Sequence, residues 1–65
     1  MKPTIGQKIH NLRRSAGLTQ AALAAALGVR ITTVSRWECG QREPSLAQLE
    51  AIAKACGGRL ELYVV

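Results

Sequence analysis

The sequence predicts a mainly α-helical, compact domain of four helices, followed by one β-strand at its C-terminal end. Apolar residues recur at helical spacing in four segments, which are bounded by threonine or serine caps and by glycines. The last residues, LELYVV, alternate instead in the manner of a strand. With 65 residues, the chain is near the lower limit for a domain that folds alone, and at this size a second subunit can supply the missing stability.

The first predicted helix covers residues 5–16. Thr4 can cap its N-terminus, and Gly17 can end it in a left-handed turn. Lys8 and Arg14 are expected to point mainly to water. Apolar residues at positions i, i+4, i+7 and i+11 form the stripe that predicts this helix: Ile5, Ile9, Leu12 and Ala16.

The second predicted helix, residues 20–27, is rich in alanine. Thr19 is a good N-cap, and Gly28 ends the helix. Leu23 and Leu27, one turn apart, are the expected buried pair. Because most of the remaining side chains are single methyl groups, another helix can lie very close to this one.

The third predicted helix begins near residue 30 and ends at residue 40, between two glycines. It opens with a β-branched run, ITTV, whose residues are mediocre helix formers. At about 100° per residue, Val34 and Trp37 lie on one side, and Trp37 is expected in the core. The opposite side is short, polar and cationic, and consists of Thr32, Ser35, Arg36 and Cys39.

The fourth predicted helix follows the loop QREPS. Ser45 is its expected N-cap, and the glycine pair at residues 57 and 58 stops it. Its apolar stripe consists of Leu46, Leu49, Ile52, Ala53 and Cys56.

The C-terminal segment, residues 59–65, is expected to be a dimerisation strand. Its apolar and polar residues alternate, but no second strand pattern exists elsewhere in the chain. Since an unpaired strand leaves backbone groups without partners, the simplest partner is the same strand of a second copy, antiparallel across a twofold axis. A fifth helix or a frayed tail is the alternative.

The charge of the chain favours a polyanionic partner. The formal net charge is +5, the isoelectric point is about 10.0, and none of the four acidic residues is an aspartate. Such a surplus points to nucleic acid before a membrane surface. Charge alone does not identify the partner, because many small basic proteins bind nothing anionic.

Several functional classes are not expected from this composition. A single histidine and two cysteines outside any C-x-x-C pair are too few for a zinc site, so neither a metal nor a cofactor is expected. No set of acid, base and nucleophile for an enzyme is present. Without a membrane-length apolar run or a signal peptide, the chain is expected to be cytoplasmic, with Cys39 and Cys56 as reduced thiols.

Residues 20–39 meet the demands of a helix-turn-helix. Ala24 is small where the two helices would approach, and Gly28 stands at the turn, where a positive φ costs least. Here the chain resembles the lambda-repressor-like, Xre-type helix-turn-helix family. The resemblance rests on IGQKIHNLRRSAGLTQAALAAALGVRITTVSRWECGQREPS and LAQLEAIAKACG, so residues 1–58 are expected to form the DNA-binding domain.

The resemblance implies that the third helix lies in the DNA major groove. It also implies that Arg13 and Glu38 join helices 1 and 3, which is a structural role. The residues that it places at bases or phosphates are Gln20, Arg30, Ile31, Thr32, Ser35, Arg36 and Arg42. For Arg36, contact with a guanine edge and contact with phosphate alone both remain open.

The implied function is a transcriptional repressor that binds double-stranded DNA, at a palindromic operator, as a homodimer. Ile31 stands where many relatives have a polar base-reading residue, so the operator sequence cannot be transferred. The terminal GGRLELYVV replaces the fifth helix of the family and resembles HipB-type antitoxins. The alternative function is therefore an antitoxin that neutralises a partner toxin and autoregulates its operon.

Overall fold

The computed structural model describes residues 4–57, and these residues form four α-helices. In chain order the helices are α1 (Ile5–Ser15), α2 (Gln20–Leu27), α3 (Ile31–Cys39) and α4 (Leu46–Ala55). The four helices expected from the sequence are thus confirmed. The expected dimerisation strand, residues 59–65, lies outside the described residues.

Side-chain caps define the starts of three helices. Thr4 and Ser45 each form a capping box with the glutamine three residues later, and Thr19 accepts a hydrogen bond from the amide of Ala22. Gly28, at the turn between α2 and α3, has a φ of 69° and follows α2 in the left-handed conformation. The tight turn of the helix-turn-helix is therefore built as the sequence predicts.

The core lies where α1 and α2 pack against α3 and where α4 covers α2. Trp37 is its largest fully buried side chain, as expected, and Ala24 is buried among the larger residues. The other large side chains of the core are Ile9, Leu23, Val34, Leu49 and Ile52. Since α3 contributes Val34 and Trp37 to this core, its inner side is held firmly by apolar packing.

The apolar stripes of α1 and α4 are buried only in part. Ile5 is 40% exposed and Leu46 is 58% exposed, although both continue a helical stripe. Each is the first residue of its helix, where the neighbouring helices no longer cover the side chain. Ala16, the last residue of the first stripe, is the exposed C-cap of α1. Periodicity therefore identifies the buried face correctly but overstates its length.

Gly6 allows α1 to approach the end of α3 very closely. It is buried in the first turn of α1. A Cβ atom at this position would clash with the carbonyl oxygen of Trp37 and lie 2.7 Å from that of Glu38. A helical glycine usually lowers helix stability, so its presence here is explained by this backbone contact.

Candidate nucleic-acid interface

The outer side of α3 forms an exposed polar surface opposite the core. Thr32, Arg36 and Cys39 are exposed, whereas Ser35, on the flank, is half-buried. Val34 and Trp37 on the opposite side are 0% and 1% exposed. We call the outer side, from Ile31 to Cys39, the α3 outer face. Because its inner side is packed, this helix can present the outer face without moving.

The start of α3 presents a cation, an apolar side chain and the positive end of the helix. Arg30 is the exposed N-cap, and among residues 4–57 no side chain caps the first turn. Ile31, the first helical residue, is 49% exposed. Amide groups at a helix N-terminus carry partial positive charge, so this end suits an electronegative partner.

The loop after α3 holds a further cationic residue, Arg42, beside the end of this helix. The amides of Gln41 and Arg42 donate to the carbonyl oxygen of Arg36 at 2.9 and 3.3 Å. These bonds fold the loop back over the last turn of α3. Gly40 makes this reversal possible because it adopts the left-handed conformation, with a φ of 79°. The backbone of Arg42 is consequently fixed beside the last turn of α3, and its side chain is exposed.

Glu38 lies beneath this surface and joins three helices. Arg13 on α1 donates through Nε to Glu38 Oε2 at 2.6 Å and through Nη2 to Oε1 at 3.1 Å. Gln20 on α2 donates through Nε2 to Oε1 at 3.1 Å. His10 Nδ1 lies 2.9 Å from Oε1. The helix-turn-helix is thus tied to α1 through one carboxylate.

The electrostatics of this cluster favour the charged forms of Arg13 and Glu38. Burial alone would raise the pKa of Glu38, but hydrogen bonds with Arg13, His10 and Gln20 outweigh it and lower this pKa below its ordinary value. The hydrogen bond to Glu38 in turn raises the pKa of Arg13. The arginine and glutamate joined between helices 1 and 3, as the resemblance implies, are therefore present as a buried ion pair.

Gln20 occupies the first position of α2, where the resemblance places a phosphate contact. Its side chain is half-buried, and one amide N–H is engaged by Glu38. The primary amide retains a second N–H and its carbonyl oxygen. Contact with DNA by Gln20 stays a prediction, and the same holds for the residues of the α3 outer face, Arg30 and Arg42.

The family of the chain follows from its sequence as well as from this geometry. Residues 9–63 match the family model HTH_3, described as helix-turn-helix. The match includes α2, the turn and α3, which form the geometry above. The chain is a helix-turn-helix protein of this family.

Two curated relatives of this helix-turn-helix protein are transcription factors by name. It is 41% identical over 51 residues to the HTH-type transcriptional regulator DicA of Escherichia coli strain K12. It is 40% identical over 48 residues to the HTH-type transcriptional activator BcrR of Enterococcus faecalis. These alignments cover 78% and 74% of the chain, but only 38% and 24% of the relatives. The likeness thus concerns the helix-turn-helix domain.

A solved structure has the same fold. The P22 c2 repressor protein, crystallised in complex with the synthetic operator 9T, matches with a TM-score of 0.81 at 30% identity. The match covers 92% of this chain and 91% of that one. Together with the family match, this structural match confirms the lambda-repressor-like fold that the sequence resemblance implies.

Three features of this helix-turn-helix protein were missed by sequence reasoning. Gly6 and its close contact, the proximity of His10 to Glu38, and the bond between Gln20 and Glu38 all join segments far apart in the chain. For Gly6 a signal existed, because a glycine inside a strongly periodic helix suggests close backbone approach. For His10 and Gln20 the sequence contains no comparable signal.

Metal-binding clusters and membrane-length helices are not found in the part of the chain that the structure describes. Among residues 4–57 no cluster of three or more His, Cys, Asp or Glu residues could hold a metal ion. Within the same residues, no helix combines the length and the apolar character needed to cross a membrane. Cys39 and Cys56 are free thiols, and burial raises the pKa of Cys56.

Proposed function

We propose that the protein is a sequence-specific DNA-binding transcriptional repressor whose α3 enters the major groove. The observation that supports this most is the α3 outer face, which is exposed, polar and cationic while its reverse side is fully buried. A helix in the major groove needs one accessible side and a rigid attachment on the other. The P22 c2 repressor, with the same fold, was solved on an operator.

The side chains of the outer face suit base reading in the major groove. Thr32 and Ser35 are short, so the helix backbone can come near the base edges. Arg36, one turn beyond Thr32, is exposed and can donate two hydrogen bonds to O6 and N7 of a guanine. Such a contact discriminates against other bases by about 1 to 3 kcal/mol.

The cations at both ends of α3 suit contacts with phosphates on either side of the groove. Arg30 precedes the helix, and Arg42 lies in the loop folded against its last turn. Gln20 at the start of α2 adds a polar group and the positive end of a second helix. Phosphate contacts of this kind fix the orientation of a protein on DNA and make its affinity depend on salt.

The protein would act as a homodimer on a palindromic operator. We place the dimer contact in residues 59–65, where the strand pattern lacks a partner within the chain. Two copies would then read half-sites about 34 Å apart, one turn of DNA. Sedimentation of a chain truncated after residue 58 tests this contact: we expect a monomer, and a persistent dimer would exclude strand pairing.

Repression needs nothing beyond occupation of the operator, which blocks the polymerase. One relative is named an activator, so a reporter gene must establish the direction of regulation. The resemblance of GGRLELYVV to HipB-type antitoxins favours a second function, neutralisation of a toxin with DNA binding as feedback. A toxin gene beside this one, and a protein that co-purifies with the full chain, would support it.

Fluorescence anisotropy tests sequence-specific binding directly. The probes are DNA from immediately upstream of the gene and scrambled DNA of equal composition, each titrated at several salt concentrations. We expect the upstream DNA to bind about a thousandfold more tightly. Equal binding to both probes, lost at physiological salt, would show that charge alone is responsible and would contradict the proposal.

A further inference from the structure

We propose that Ile31 makes the protein require a thymine at one position of each half-site, through contact with the 5-methyl group of that base. The inference rests on the proposed function and adds a chemical preference to it. The observation behind it is that Ile31, a large apolar side chain, is half-exposed at the start of a surface that is otherwise polar and cationic.

The fold does not require an apolar residue at this position. The entry of the chain into α3 is fixed instead by Val29 and Val34, at the two positions of a hydrophobic staple. Val34 is 0% exposed, and Val29 packs against the core that contains it. Ile31 is 49% exposed and has poor helix propensity, so neither burial nor local structure accounts for it.

The major groove offers one apolar group to such a side chain. The donors and acceptors of the base edges are polar, whereas the C5-methyl of thymine is the one methyl group that the four standard bases present there. A β-branched side chain is also stiff about χ1 in a helix, so little conformational freedom is lost on contact. A thymine methyl is therefore the partner that matches the chemistry of Ile31.

The neighbours of Ile31 leave it free to reach a base. Ser35 lies one turn later on the same ridge of α3, but it is short and half-buried. Thr32 is exposed on the adjacent ridge, and Arg36 follows it one turn later. If Arg36 donates to a guanine, the register of the helix is fixed, and Ile31 faces a base about one turn of helix away.

The structure supplies a matched control residue. Leu46 is also the first residue of a helix and is 58% exposed, but it belongs to α4 rather than to the α3 outer face. Leu46→Ala removes a similar amount of apolar surface from the same helical position. Ile31→Ala removes the side chain beyond Cβ. Ile31→Val keeps the branch at Cβ and shortens the side chain by one carbon.

The experiment uses the full chain and a duplex enriched from random-sequence DNA by repeated rounds of binding. Each thymine of the enriched site is replaced in turn by uracil, which removes the methyl group alone. Dissociation constants are measured for the wild-type protein, Ile31→Ala, Ile31→Val and Leu46→Ala. Circular dichroism and thermal melting confirm that all four proteins are folded.

We expect that, at one thymine position of the half-site, replacement of a single thymine by uracil weakens wild-type binding about fourfold. This is the factor that corresponds to burial of one methyl-sized group. Ile31→Ala should bind the thymine and uracil duplexes equally, while Ile31→Val and Leu46→Ala keep the thymine preference. The inference is overturned if no uracil weakens the wild type or if Ile31→Ala keeps the preference. Failure to enrich any sequence would instead contradict the proposed function itself.

Discussion

Arg13 and Glu38, 25 positions apart in the chain, form a buried ion pair in which Arg13 Nε donates to Glu38 Oε2 at 2.6 Å. Their side chains are 11% and 6% exposed. The same arginine donates through Nη1 to the carbonyl oxygen of Leu18 at 2.8 Å. Since Glu38 also accepts from Gln20, this pair fixes α1 and α2 relative to α3 and thereby supports the outer face.

Loss of the carboxylate charge should destabilise the fold. In Glu38→Gln, Arg13 stays buried without its ionic partner, and we expect the free energy of unfolding to fall by about 3 kcal/mol. Urea denaturation at neutral pH measures the change. Glu50→Gln, at an exposed position of α4, is the control and should change stability by less than about 0.5 kcal/mol. Equal effects of the two substitutions would contradict this role of Glu38.

The lowered pKa of Glu38 predicts a loss of stability in acid. A carboxyl whose pKa is lower in the folded state stabilises the fold above its unfolded pKa, about 4.3, and loses this contribution as pH falls through the folded pKa. The difference in unfolding free energy between wild type and Glu38→Gln should therefore shrink below about pH 4.3. Urea titrations at a series of pH values measure it. A difference that is constant down to low pH would refute the prediction.

Gly6→Ala should destabilise the fold although alanine is the better helix former. The new Cβ would clash with backbone carbonyl oxygens at the end of α3, which cannot rotate away. We expect a loss of about 2 kcal/mol in unfolding free energy after the gain in helix propensity. Asn11→Ala, exposed in the same helix, should leave stability unchanged or raise it. A Gly6→Ala protein as stable as wild type would show that α1 and α3 can separate at no cost.

Arg42→Ala should weaken DNA binding without changing its specificity. Arg42 is exposed in the loop beside α3, where we expect it to contact phosphate. Its loss should lower affinity for upstream and scrambled DNA by the same factor. Because a dimer loses two such contacts, the salt slope should fall by about 2. Anisotropy titrations on both probes measure this. A larger loss on the upstream DNA would mean that Arg42 reads bases.

The helices and the centre of the core could be predicted because local spacing determines them. Val34 and Trp37 are three residues apart, so one helix must place them on one side, and the structure buries both. The ends of the apolar stripes could not be predicted in this way. Whether Ile5 or Leu46 is covered depends on how far a neighbouring helix extends. The apolar spacing within one segment carries no information about that length.

The candidate site was predictable to a similar extent. The exposure of Thr32 and Arg36 follows from the same helical wheel that buries Trp37. The cluster around Glu38 was predictable only for Arg13, through the family resemblance. The contacts of His10 and Gln20 with Glu38 depend on how three helices meet in space, so no local pattern reports them.

The most direct test of base reading by the α3 outer face compares Arg36→Ala with Arg14→Ala. Both residues are exposed arginines, so each substitution removes one positive charge, but Arg14 lies on α1. The measured quantity is the ratio of affinities for upstream and scrambled DNA at fixed salt. We predict that Arg36→Ala lowers this ratio about tenfold or more, the range for loss of a bidentate base contact, and that Arg14→Ala leaves it unchanged. An unchanged ratio in Arg36→Ala, or an equal fall in both variants, would contradict base reading through α3.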